Sequence, residues 1–182
     1  EIVADASRFR IHGMGRDEFP VLPDLQGATS FSVPQGVLKD ALFRTTFAVA
    51  KEDTRYTLTG LFLGIQGGVA QFVGTDGKRL AKVEMRVSLP ADFVGEYIIP
   101  LKAVEELIKS LGDDQLATIY LMDDKIAVET DQTIMVTKLL SGDYPDFDRV
   151  IPKDPELSIE LHREEMASLL RQVALFTNET SY

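Results

Sequence analysis

Apolar positions along the chain fall into two alternating periods. Leu38, Ala41, Leu42, Thr45 and Val49 recur at helical spacing, as do Val104, Leu107, Ile108 and Leu111, and each set predicts an amphipathic helix. A third set, Met166, Leu169, Leu170, Val173 and Ala174, repeats the pattern near the end. Pro100 suits the first turn of the second helix, and Gly112 stops it. Between the helices the text alternates as strands do: Tyr56–Ile65, Val69–Gly74, Arg79–Val87, Ala117–Met122, Lys125–Thr130 and Thr133–Leu140. Gln66-Gly67-Gly68, Asp76-Gly77 and Asp123-Asp124 supply the turns.

The stretch from Phe31 to Tyr56 lays on Leu157 to Tyr182 without a gap, each copy reading as a short strand, a helix and an acidic turn. Ser32, Ala41, Ala48, Thr54 and Tyr56 are matched by identical residues at Ser158, Ala167, Ala174, Thr180 and Tyr182. A repeat of this kind implies domains in tandem. The middle of the chain reads as strand–helix–strands twice over, an α+β fold with two helices on one face of antiparallel sheet. Residues 27–151 form a complete domain in this reading. Residues 1–26 and 152–182 are too short to bury a core, which marks the chain as a piece of a longer protein.

Composition narrows the functional classes. The net charge of −10 argues against a protein that grips DNA by neutralising phosphates. Cysteine is absent, which removes disulfides, thiolate catalysis and cysteine zinc sites, and fits a cytoplasmic location. No apolar run reaches the ~20 residues of a membrane helix. His12 and His162 lie far apart and read as ordinary surface residues. The aspartate pairs read as turn formers and caps, and no loop has the spacing of a calcium site. No catalytic residue, metal site or cofactor is expected.

The most specific text is Leu139-Leu140-Ser141-Gly142-Asp143-Tyr144-Pro145-Asp146-Phe147-Asp148-Arg149-Val150-Ile151-Pro152, together with Thr75-Asp76-Gly77-Lys78-Arg79-Leu80-Ala81. With Glu18 to Pro23, Asp53 to Tyr56, Ile98-Ile99-Pro100 and Asn178-Glu179, in this order, it resembles the bacterial sliding-clamp family, the beta subunit of DNA polymerase III. The resemblance runs the whole length. It implies the end of a first clamp domain at 1–26, all of a second at 27–151 and the opening of a third at 152–182.

It further implies a processivity factor for DNA replication. Such a protein is a homodimeric ring around duplex DNA that tethers the replicative polymerase and the clamp loader through clamp-binding peptides. The family's peptide-binding pocket would use Leu58, Thr75, Gly77, Lys78, Arg79, Leu80, Pro145, Arg149, Val150 and Tyr182. Lys78 stands where many members have histidine, and Tyr182 where they often have phenylalanine. Lys39, Arg44, Lys102 and Lys109 would face the DNA. Lys102 and Lys109 lie two turns, roughly 10 Å, apart on one helix face. The residues alone also fit a plain solvated face with a Glu105–Lys109 pair. Two other functions stay open on sequence: a protein-interaction module without DNA, and an acid–base enzyme using Asp143, Asp146 and Asp148.

Overall fold

A computed structural model of the chain describes residues 2–18, 21–153 and 157–176. It divides into two compact units, 1–144 and 145–182.

The first unit opens with a small hairpin, β1 (Ile2–Ala4) and β2 (Ser7–Phe9). Its main body follows as β3 (Thr29–Pro34), α1 (Gln35–Thr46), β4 (Gly60–Gln66), β5 (Val69–Thr75) and β6 (Leu80–Arg86). The same order then returns as β7 (Val94–Pro100), α2 (Leu101–Ser110), β8 (Leu116–Leu121), β9 (Lys125–Glu129) and β10 (Ile134–Lys138). The strand–helix–strands pattern, twice over, is the one the periodicity predicts.

Pairing adds what periodicity does not carry. There are two antiparallel four-stranded sheets, ordered β6-β5-β4-β7 and β10-β9-β8-β3. Each takes three strands from one half and borrows the first strand of the other: β7 pairs with β4, and β3 with β8. Just after β10, the Leu140 N–H donates to the Ile98 carbonyl at 2.9 Å, so the sheets adjoin at β7.

Both helices pack on this double sheet and on each other, around one core. Leu38, Ala41, Leu42 and Val49 of the α1 segment are buried there, with Val104 and Leu107 of α2 and Leu63, Phe72, Ile119 and Val128 of the strands. Burying each large side chain is worth roughly 1.5–3 kcal/mol. Close approach of α1 to β5 requires Gly74, since a Cβ there would collide with the Thr45 carbonyl. Gln35 ties the halves together. Its Oε1 accepts from the Gly112 N–H at 2.7 Å and its Nε2 donates to the Leu116 carbonyl at 3.3 Å.

One expected strand start is a turn. Tyr56–Thr59 forms a single 3-10 turn, because the Leu58 N–H bonds back to the Arg55 carbonyl at 2.9 Å.

The second unit holds a 3-10 turn, Phe147–Arg149, and α3 (Arg163–Ala174). The helix is where the repeat predicts it. The strand expected at Leu157-Ser158-Ile159 is absent among the described residues, and Met166, Leu169, Leu170 and Val173 lie exposed on α3. Asn178, Glu179, Thr180 and Tyr182 fall outside the described residues. No described helix is long and apolar enough to cross a membrane.

Candidate functional site

The turn between β5 and β6 is built by its own side chains. Thr75 and Leu80 face each other across the strand pair, leaving four residues to reverse the chain. One Asp76 carboxylate oxygen accepts from the backbone N–H groups of Lys78 and Arg79, each at 3.0 Å, and the other accepts from Arg79 Nε at 3.0 Å. Those bonds, the backbone pair first, hold the Asp76 carboxyl below its ordinary pKa. Thr75 Oγ1 donates to the Arg79 carbonyl at 2.7 Å and accepts from the Gly77 N–H at 3.1 Å. Gly77 sits at φ +83°, a left-handed conformation that favours glycine. Thr-Asp-Gly is thus a compact program for this turn.

A second turn meets the first through Arg55. Asp53 accepts from the Arg55 backbone N–H at 2.8 Å, from its Nε at 3.1 Å and from its Nη2 at 3.0 Å. The side-chain bond from Arg55, then the backbone bond, lowers the Asp53 pKa to about 2. Nη2 also reaches the Asp76 carbonyl at 3.5 Å, a long contact. Leu58, three residues on, is buried beneath the surface, and its carbonyl accepts from the Ala50 N–H at 3.1 Å.

The structure therefore gathers Thr75, Gly77, Lys78, Arg79 and Leu80 on one turn, with Lys78 and Arg79 exposed. Leu58 follows the second turn, and Arg55 joins the two. The Arg79 guanidinium also stands 5.8 Å from the centre of the Phe47 ring, linking the turn to the end of α1.

In the second unit, Arg149 Nε pairs with Asp146 at 2.7 Å across the 3-10 turn, with the Arg149 side chain 84% exposed. Pro145 and Val150 beside it are exposed. Tyr182 lies outside the described residues.

The cations assigned to DNA sit on the helices as expected, and three of the four have carboxylate partners. Arg44 Nε pairs with Asp40 at 2.7 Å, Lys39 with Asp113 at 3.7 Å, and Lys109 with Glu106 at 2.9 Å. The Lys109 partner is one residue from the Glu105 that i, i+4 spacing suggests. Lys102 is exposed on the same helix.

Sequence reasoning missed four contributors. Arg55 and Asp53 carry a visible signal, an aspartate two residues before an arginine, but its reach to Gly77 is a tertiary fact. Phe47 is in phase with Phe43, one turn earlier on the same face. Tyr144 stacks on Phe62 with ring centres 4.9 Å apart and donates its hydroxyl to the Val73 carbonyl at 3.3 Å. A cleft beside this stack, rimmed by Glu96, Asp123 and Asp143, includes none of the predicted peptide-binding residues.

Residues 32–146 match the sequence pattern of the DNA polymerase III beta subunit, central domain. The chain belongs to this family. The clamp family also supplies its relatives. The beta sliding clamp of Chlamydia pneumoniae is 55% identical over 182 residues, covering 100% of this chain and 50% of that protein. That of Escherichia coli strain K12 is 33% identical over 176 residues, covering 95% and 47%. Among solved structures, the Bacillus subtilis DNA polymerase sliding clamp superposes with a TM-score of 0.86 at 27% identity, covering 92% of this chain and 44% of that one. The DNA polymerase III subunit beta of Pseudomonas aeruginosa gives 0.83 at 30% identity, covering 96% and 48%. The chain spans about half the length of the curated relatives it matches. The clamp fold expected from sequence is the fold of these structures.

Proposed function

We propose that the whole protein is a sliding clamp for DNA replication, a non-catalytic processivity factor acting in the cytoplasm. As a homodimeric ring it encircles duplex DNA without sequence preference and tethers the replicative polymerase and the clamp loader. The observation that carries this reading is the family match over 32–146, on a body that repeats the clamp's strand–helix–strands halves. In this organisation residues 27–151 are the second clamp domain, 1–26 the end of the first and 152–182 the opening of the third.

The acidic balance agrees with sliding. A topological tether needs no net affinity, and each phosphate contact that released counterions would have to be broken for the ring to move. Lys39, Arg44 and Lys109, each already paired to a carboxylate, are muted cations of the kind such a wall needs. Lys102 joins them.

Partner peptides are assigned to the turn surface of Thr75, Gly77, Lys78, Arg79 and Leu80, with Leu58 as buried support. Pro145, Arg149, Val150 and Tyr182 are the assigned contacts from the second unit. A rigid turn with exposed cations and an apolar flank suits an extended peptide. Titrating a glutamine-led peptide containing Leu and Phe, against Leu80→Ala and Arg149→Ala variants that remain folded, tests this assignment.

The ring itself is tested with the full-length protein on nicked circular and linear DNA. Retention on circles and rapid loss from linear ends is the expected result. Equal loss from both would favour an interaction module without DNA.

A further inference from the structure

The outer face of α1 carries two exposed rings that neither the core nor the partner turn uses, in a row that ends on Arg79 of that turn. Leu38, Ala41, Leu42 and Thr45 fill the buried face of this helix, yet Phe43 is 70% exposed and Phe47, its C-cap, 59% exposed. Lys39, Phe43 and Phe47 stand at i, i+4 and i+8, one row along the helix spanning ~12 Å. Arg79 continues the row, its guanidinium 5.8 Å from the Phe47 ring centre. Arg44 flanks Phe43 on the other side, held by Asp40. The order is cation, ring, ring, cation.

We infer that the row Lys39–Phe43–Phe47–Arg79 is a stacking site for unpaired bases of single-stranded DNA. It rests on the DNA reading above and adds a ligand to the same helix face. Two rings ~6 Å apart along the axis offer each of two successive bases a planar apolar surface. Every base has a π-face, so the contact is tolerant of sequence, as a sliding protein needs. The terminal cations are placed for the phosphates on either side. Lys39–Asp113 is an exposed pair, worth little in water, so phosphate can replace its carboxylate, while Arg79 keeps Asp76 on its Nε and would meet phosphate through its Nη groups.

A protein partner fits the row less well. A stable protein interface buries ~800 Å² on each side, and two aromatic side chains supply at most about half of that. Small planar ligands in series need no wider apolar surface. Binding to the free chain is expected to be weak, given its net charge of −10. A ring that already holds the DNA raises the effective concentration, so a weak contact suffices.

The chain has no tryptophan, so Phe43→Trp installs a single emitter in the row. Added oligo(dT) is expected to quench that emission saturably, whereas blunt duplex of equal length leaves it unchanged. Phe47→Ala in the same background is expected to weaken the quench by about 5- to 100-fold, the loss of one stacked base. Both rings are exposed, so thermal unfolding should stay within a few degrees of the parent.

Quenching by neither nucleic acid would overturn the proposal, as would equal quenching by duplex. An emission shift that follows protein concentration without DNA would overturn it in favour of a second copy on this face. In the full-length protein, an emission difference between Phe43→Trp and the parent that does not respond to oligo(dT) while retention on circular DNA stays normal sinks the stacking site alone. Quenching without retention sinks the ring reading instead.

Discussion

The guanidinium of Arg55 occupies the space that a side chain at Gly77 would need. A Cβ built on residue 77 would stand 2.7 Å from Arg55 Nη2 and 3.2 Å from Nη1. The two turns of the candidate peptide surface thus meet closely here: a side chain at 77 would push the tip of Arg55 aside, and the φ of +83° itself favours glycine.

Gly77→Ala should therefore destabilise on two counts. The left-handed backbone costs about 1 kcal/mol without glycine, and displacing Arg55 weakens its hold on Asp53 and Asp76. A loss of about 1–3 kcal/mol in urea unfolding is expected, with peptide affinity falling further than in a stability-matched core variant. Unchanged unfolding would mean that Arg55 swings away freely.

Asp53 gives a signature in acid. Its folded pKa of about 2 lies below the ordinary 3.8, so the stability it contributes is present above about pH 4. That contribution is lost as the pH falls toward 2. Asp53→Asn should make the stability curve flatter between pH 4 and 2 than that of the parent. Parallel curves would show that the Arg55 pair contributes nothing to the fold.

Tyr144 acts at the other end of the scale. Burial pushes its phenol up to about 12, so the folded state keeps the proton when the unfolded chain, at about 10, releases it. Stability from this group is full below pH 10 and lost as the pH rises to 12. Tyr97 and Tyr120 are also raised, the first by burial and the second by its bond to Glu129, so ultraviolet titration of the folded protein should show several late ionisations, the last of which disappears in Tyr144→Phe. That variant keeps the aromatic ring against Phe62 and removes the hydroxyl with its bonds to the Val73 carbonyl and the Thr75 backbone, about 1–2 kcal/mol. Tyr144→Ala should cost about 3 kcal/mol.

The α2 cations should separate folding from DNA contact. Lys102→Gln combined with Lys109→Gln removes the exposed Lys109–Glu106 pair and the attraction of Lys102 to Glu106 without adding a like-charge pair, so unfolding should shift by no more than about 1 kcal/mol. In the full-length ring, the same pair should shorten retention on nicked circles at low salt and flatten its dependence on salt. Retention unchanged at every salt concentration would remove these lysines from the DNA-facing set.

Local chemistry was legible in the sequence; meetings between distant segments were not. The α1 face of Leu38, Ala41, Leu42, Thr45 and Val49 reads correctly because one helical period decides which side is buried. Thr75 to Leu80 reads correctly because Thr-Asp-Gly closes its own turn. Tyr56–Thr59 reads as strand from its β-formers, but the bond from Leu58 to Arg55 wins locally. Arg55 beneath Gly77 needed two turns to be brought together, and no spacing encodes that. The Lys109 pair shows the limit at short range. Glu105 and Glu106 are both within reach on a helix, and rotamer geometry selects the second.

The exchange of first strands between the halves also orders the birth of the fold. Ser32 and Thr118, joined by a hydroxyl bond at 2.9 Å, are 86 residues apart. During synthesis β3 emerges early and must wait for β8, while β4, β5 and β6 can pair at once as hairpins. Until the second half arrives, the nascent chain carries an orphan strand and an α1 with much of its cover missing. Such a chain is open to capture by a chaperone or a neighbour. Neither sheet can close until β7 and β8 have emerged, and such long-range pairings are intrinsically slow.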